Sequence, residues 1–172
     1  GSGKEHKKEG GRSSFSYSRS RYCSRTIITA VKFDYRKIPR SSDPRKPFIG
    51  MPFIPIVISH GKESTMPFFA MLDSGADGVL MHSDLALAIG ITDIKTGTLD
   101  KTLGIGNQVV DVYYHDDIEI QIIGDNRKLQ TRVGFIESDN PRQVIPLLGR
   151  TFFKHFRAVI FEENNERIEL KV

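Results

Sequence analysis

Short apolar runs separated by turn residues set the pattern of this chain, with no long stretch of helical period. Residues 26–33 (TIITAVKF) are rich in β-branched side chains and predict a strand. A Pro- and Arg-bearing stretch follows, and Pro39, Pro44 and Pro47 predict a loop there. Residues 53–59 (FIPIVIS) and 66–72 (MPFFAML) predict two strands around a turn at His60-Gly61-Lys62-Glu63. Ser83 is placed to cap a short helix over residues 84–89, and Gly90 follows where a left-handed residue is wanted. Further strands are expected at 98–103, 108–114 and 118–123, with Asp116-Asp117 as a solvated turn. Another is expected at 129–136, after the turn Gly124-Asp125-Asn126. Beyond Pro141, residues 144–148 form a brief apolar run and 151–156 have helical character. Residues 159–161 and 168–172 close the chain as a hairpin around Glu163-Asn164-Asn165-Glu166. The pattern predicts a mainly β chain with two short helices and no internal repeat.

Composition adds little to that picture, and charge adds one feature. A chain of 172 residues with 38% hydrophobic content suits a single domain with appendages. Seven cations (Lys4, Lys7, Lys8, Arg12, Arg19, Arg21 and Arg25) face only Glu5 and Glu9 in residues 1–26, whereas the whole chain carries a net +4. The basic character therefore belongs to the N-terminal segment, and the body is close to neutral. Residues 1–25 are expected to be a disordered basic tail or a segment added for expression. The sharper alternative is a nucleic-acid arm, because Arg19, Arg21 and Arg25 interleave with Tyr17 and Tyr22; nucleic acid is nonetheless not the expected partner. Cys23 is the single cysteine, so no internal disulfide is possible, and no stretch has the length and apolarity to span a bilayer. A cytoplasmic protein without membrane association is the expectation. His60, His82, His115 and His155 are scattered without ligand spacing, so no metal or cofactor is expected.

The chemistry is concentrated in Asp73-Ser74-Gly75-Ala76-Asp77, which follows the apolar run Phe68–Leu72. Asp-Ser-Gly arises by chance in roughly one chain of this length in ten, so it needs context. Alone it reads as a structural Asx turn. A calcium loop fails, because Gly75 stands at the third ligand position and Asp84 where a bidentate Glu is required. Ser74 has no recognisable histidine partner to make it a nucleophile. Two further elements supply context: Leu103-Gly104-Ile105-Gly106-Asn107, and Pro146-Leu147-Leu148-Gly149-Arg150.

In this order the three elements resemble the active-site motif, glycine-rich flap and second signature of the retroviral-type (retropepsin-like) aspartic proteases. The similarity covers about residues 53–172, and residues 26–172 form the corresponding domain. Ser74 replaces the Thr usual in retroviral enzymes, and the helix and C-terminal hairpin look more like cellular or bacterial members. The resemblance implies a closed β-barrel with a flap hairpin, working as a two-fold homodimer. It implies catalysis by Asp73 with Ser74 and Gly75, and substrate contacts at Ala76, Asp77, Val79, Gly104, Ile105, Gly106 and Leu147. It also implies an internal ion pair between Asp77 and Arg150. Because the chain has one Asp-Ser-Gly motif, the second carboxylate would be the other subunit's Asp73. The implied activity is endopeptidase cleavage of extended polypeptides through a water activated by the two carboxylates, with no cofactor. The alternative is a catalytically silent dimerisation or binding module of the same fold.

Overall fold

The computed structural model describes residues 30–40, 43–103, 109–125 and 127–172. The expected tail, the start of the first predicted strand, and Gly104, Ile105 and Gly106 lie outside the described residues. The described residues open with β1 (Ala30–Asp34), β2 (Arg36–Pro39) and β3 (Phe48–Met51). β4 (Phe53–His60) turns at Gly61, φ +60°, into the two-residue β5 (Glu63–Ser64), and β6 (Phe68–Leu72) follows. β7 (Val79–His82) runs into helix α1 (Ser83–Ala88), and β8 (Thr98–Leu103), β9 (Val109–Ile122) and β10 (Lys128–Ile136) form a meander. β11 (Leu147–Leu148), helix α2 (Arg150–Phe153), β12 (Ala158–Glu162) and β13 (Arg167–Lys171) complete the chain.

Six strands, in the order β4-β6-β11-β7-β10-β9, close into a barrel when β9 returns to β4 through Ile56↔Ile122 and Ile58↔Ile120. Alternation explains the closure. Ile54, Ile56 and Ile58 on β4, and Ile118, Ile120 and Ile122 on β9, are completely buried, while residues between them are not. A strand with period-two burial puts one face into the barrel interior. Each isoleucine so buried contributes about 1.5–3 kcal/mol relative to exposure. Residues 109–112 of β9 pair only with β8, so the sheet is two-stranded there.

A second sheet, β1-β13-β12, brings the start of the described chain against its end, with Val31↔Leu170 and Phe33↔Ile168 in register. Ile168 and Leu170 are buried on its inner face. The hairpin expected around residues 163–166 is present, and Glu166 takes the left-handed conformation at φ 48°.

Four expectations need correction. The segment predicted as a loop contains the ribbon β2–β3, paired from Arg36↔Met51 to Pro39↔Phe48. A two-stranded ribbon consists only of edges, and edge positions tolerate Pro39. Asp116-Asp117 is not a turn. β9 runs through it as one strand, with His115 opposite Val133 and Ile118 opposite Thr131, so two residues face only Arg132 in a β-bulge. The bulge holds two adjacent acids on a continuous strand, and Arg132 Nε lies 3.4 Å from Asp116. The cap of α1 is His82 rather than Ser83. His82 Nδ1 accepts the Asp84 N–H at 3.0 Å while Nε2–H donates to the Ser138 carbonyl at 2.9 Å, so Ser83 is already helical. Gly90, φ +83°, ends that helix as expected. Finally, α2 is one turn and β11 only two residues, shorter than the predicted 151–156 and 144–148, because both are fitted into the loop described next.

Candidate active site

β6 delivers Asp73 from the core: Ala70 and Leu72 are buried, and the chain then turns at Ser74-Gly75. Asp73 Oδ1 accepts the Gly75 N–H at 2.8 Å, and Asp73 O accepts the Ala76 N–H at 3.2 Å. This is the Asx geometry expected of the motif alone. It holds one carboxylate oxygen in place, while Oδ2 accepts no hydrogen bond from the described residues. The Ser74 hydroxyl is exposed and likewise takes no partner among them.

What sets this turn apart is its joint with the second motif. β11 lies between β6 and β7, parallel to the first and antiparallel to the second. The loop 73–78, which connects β6 to β7, therefore has to span the end of β11. Met71 N–H donates to Pro146 O at 2.8 Å and Asp73 N–H to Leu148 O at 3.1 Å. Three successive amides then reach back: Gly149 N–H to Gly78 O at 3.1 Å, Arg150 N–H to Ala76 O at 2.9 Å and Thr151 N–H to Asp77 O at 3.0 Å. These are the amides a helix start leaves without partners, and the loop carbonyls satisfy them. Gly149 is required by space, since a Cβ there would stand 2.5 Å from the Ala76 carbonyl oxygen and closer still to that of Gly78. Behind the loop, the Tyr114 hydroxyl packs against Gly78, where a Cβ would meet it at 3.2 Å. Burial, aided by Asp100, pushes the Tyr114 phenol upward, although Arg132 over its ring opposes the shift.

The expected Asp77–Arg150 ion pair is present, with both side chains largely exposed on the chain. Ala76 and Leu147 are half-buried beside the turn, whereas Val79 is completely buried. Val79, a substrate contact in the resemblance, pairs with Leu148 and with Val133 under the loop and belongs to the core of the chain.

Asp73 and Ser74 border an open depression of about 410 Å³, whose other walls include Met51, Pro52, Phe161 and Glu163. Glu163 went unrecognised in the sequence because it lies far along the chain, in a hairpin turn. Its Oε1 accepts the Tyr35 hydroxyl at 2.7 Å, and burial followed by that carboxylate raises the Tyr35 phenol well above its ordinary value. No group of three or more potential metal ligands occurs among the described residues, and no helix among them is long and apolar enough to cross a membrane.

The sequence matches no protein-family model and no curated protein. The fold itself defines the class to which the chain can be assigned: a mainly β protein built on a closed six-stranded barrel with two short helices.

Proposed function

We propose that this chain is one half of an aspartic endopeptidase, completed by a second copy whose Asp73 meets the first across a two-fold axis. The observation that carries this reading is the backbone joint between the Asp73 turn and Gly149–Thr151, segments more than seventy residues apart in sequence. Three amide–carbonyl bonds and a glycine with no room for a side chain hold the turn far more firmly than an Asx turn requires. Rigid placement is what a shared-proton carboxylate pair needs, since its chemistry depends on sub-ångström positioning.

In this reading one Asp73 draws a proton from a water and the other donates to the peptide carbonyl oxygen. Two such carboxylates cannot both ionise when adjacent, so they hold one proton between them over an intermediate pH range. The Asp77–Arg150 pair buttresses the loop. The resemblance puts a flap beyond the end of the β8–β9 pair, where residues 109–112 of β9 pair only with β8.

The test is cleavage of unfolded polypeptides from about pH 3 to pH 7 by the protein and its Asp73→Asn variant. The amide still accepts the Gly75 N–H through its oxygen, so the variant keeps its melting temperature and loses all turnover. Equal turnover by a folded Asp73→Asn protein overturns the proposal. A dimer with no activity across that range assigns the fold to binding rather than catalysis.

A further inference from the structure

Next to the Asp73 depression, but sharing none of its lining residues, an open groove of about 650 Å³ lies between the β2–β3 ribbon and the segment 141–146. Its apolar surface includes Phe53, Phe68, Phe69 and Ile145. Phe69 is 43% exposed and Ile145 46%, a contiguous aromatic and aliphatic surface of the kind that marks interaction sites. Arg36 and Ile38 are two apart on β2, which puts them on one face of that strand, and both line the groove. Arg142 borders it from the opposite segment.

Charge says what belongs there. No acidic side chain lines the groove. Arg36 and Arg142 make no ion pair among the described residues, as is also true of Lys46, Lys62, Lys154, Arg157 and Lys171, but only these two cations line the groove. The Arg36 guanidinium carbon sits 4.0 Å from the centre of the Phe69 ring. A guanidinium stacked by its face keeps its in-plane N–H donors available, and their fork matches a carboxylate. The basic N-terminal segment of this chain has the wrong sign to fill the groove.

The geometry points to a docking groove for an acidic, apolar segment of another polypeptide. A large apolar side chain rests against Phe69 and Ile145, and flanking carboxylates engage Arg36 and Arg142. This inference does not rest on the peptidase reading, and its test needs no turnover.

The 172-residue chain carrying Asp73→Asn is titrated against a fluorescent peptide of sequence GDEFDLEG, with anisotropy as the readout. Saturable binding is expected, weakening with added salt and when the peptide phenylalanine becomes serine. Arg36→Glu with Arg142→Glu weakens it about tenfold, the sum of two exposed charge pairs. A peptide with lysines for its acids binds the doubly reversed protein better than the original. If the double variant does not fold, Arg142→Glu alone carries the test with a loss of about threefold. The proposal is overturned by absent binding, by undiminished binding to a folded variant, or by equal binding of the lysine peptide to the original protein. It is overturned too if an oligothymidylate displaces the peptide as well as unlabelled peptide does. Loss of self-association in the double variant would also overturn it, because the groove would then belong to a second copy.

Discussion

Gly149 has no side chain because the Ala76 and Gly78 carbonyls occupy the space one would need. The neighbours are backbone oxygens held in hydrogen bonds of their own, so they cannot swing aside as a flexible side chain would. Gly149→Ala therefore either breaks the amide–carbonyl joint or displaces the Asp73 turn. We expect it to cost about 2–3 kcal/mol or more, toward the upper end of overpacking effects, measured as a lower urea midpoint with an unchanged slope. In the proposed enzyme the same substitution lowers turnover in the fraction that remains folded. Asp73 is different in kind. Its Oδ1 serves the local turn, and in the proposed enzyme Oδ2 is the oxygen that does the chemistry. The Asp-Ser-Gly-Ala-Asp motif was legible as residues in a row. Glu163, on the rim of the same depression, was not, because only the folded chain brings its hairpin turn beside Met51 and Ser74.

At the scale of elements, local rules account for most of what forms, and a tertiary contact explains each exception. Ser83 has the better intrinsic preference for an N-cap, yet His82 takes the position because its ring also reaches the Ser138 carbonyl. Asp116-Asp117 has turn composition, but Ile118, Ile120 and Ile122 must continue the barrel wall, and the bulge absorbs the extra residue. The turn after α2 carries a pH-sensitive group. His155 lies against the Phe152 ring at 6.3 Å, and burial, with nearby Arg127, lowers its affinity for a proton below the ordinary 6.5. The hydrogen bond involving the Gln130 backbone opposes that shift without reversing it. Between the lowered folded value and 6.5 the unfolded chain binds the extra proton more readily, so stability rises with pH across that window. As pH falls through 6.5 the contribution is progressively lost, and below the folded value it stays lost. Urea midpoints of the protein and of His155→Gln, compared across pH, are expected to show a shallower slope for the variant in this window alone.

At the scale of the whole molecule, the described chain is closed on itself in two places. The barrel shuts through β9 on β4, and β1 pairs with β13. One chain thus carries a complete core and only one Asp-Ser-Gly turn, so the proposed active site is the part that remains half-built. Specific activity is expected to fall on dilution, with its midpoint at the dimer dissociation constant from sedimentation. Activity independent of concentration, in a protein that sediments as a monomer, would contradict the two-copy mechanism.

Taken alone, the sequence determined the mainly β character, most of the strand positions and the turn glycines. It also determined the single Asp-Ser-Gly turn and the Pro-Leu-Leu-Gly-Arg segment that meets it. These are matters of alternation, β-branching and backbone freedom, which act over a few residues and so are written in them. Only the tertiary structure decided that residues 36–51 contain a ribbon, that β9 is one bulged strand, and that His82 caps α1. It also decided that Val79 belongs to the core and that Gly149 locks the Asp73 loop. Each of these depends on partners that are distant along the chain. Distant pairing decides which hydrogen bonds a segment can make and which of its faces loses water, and no local pattern encodes that choice.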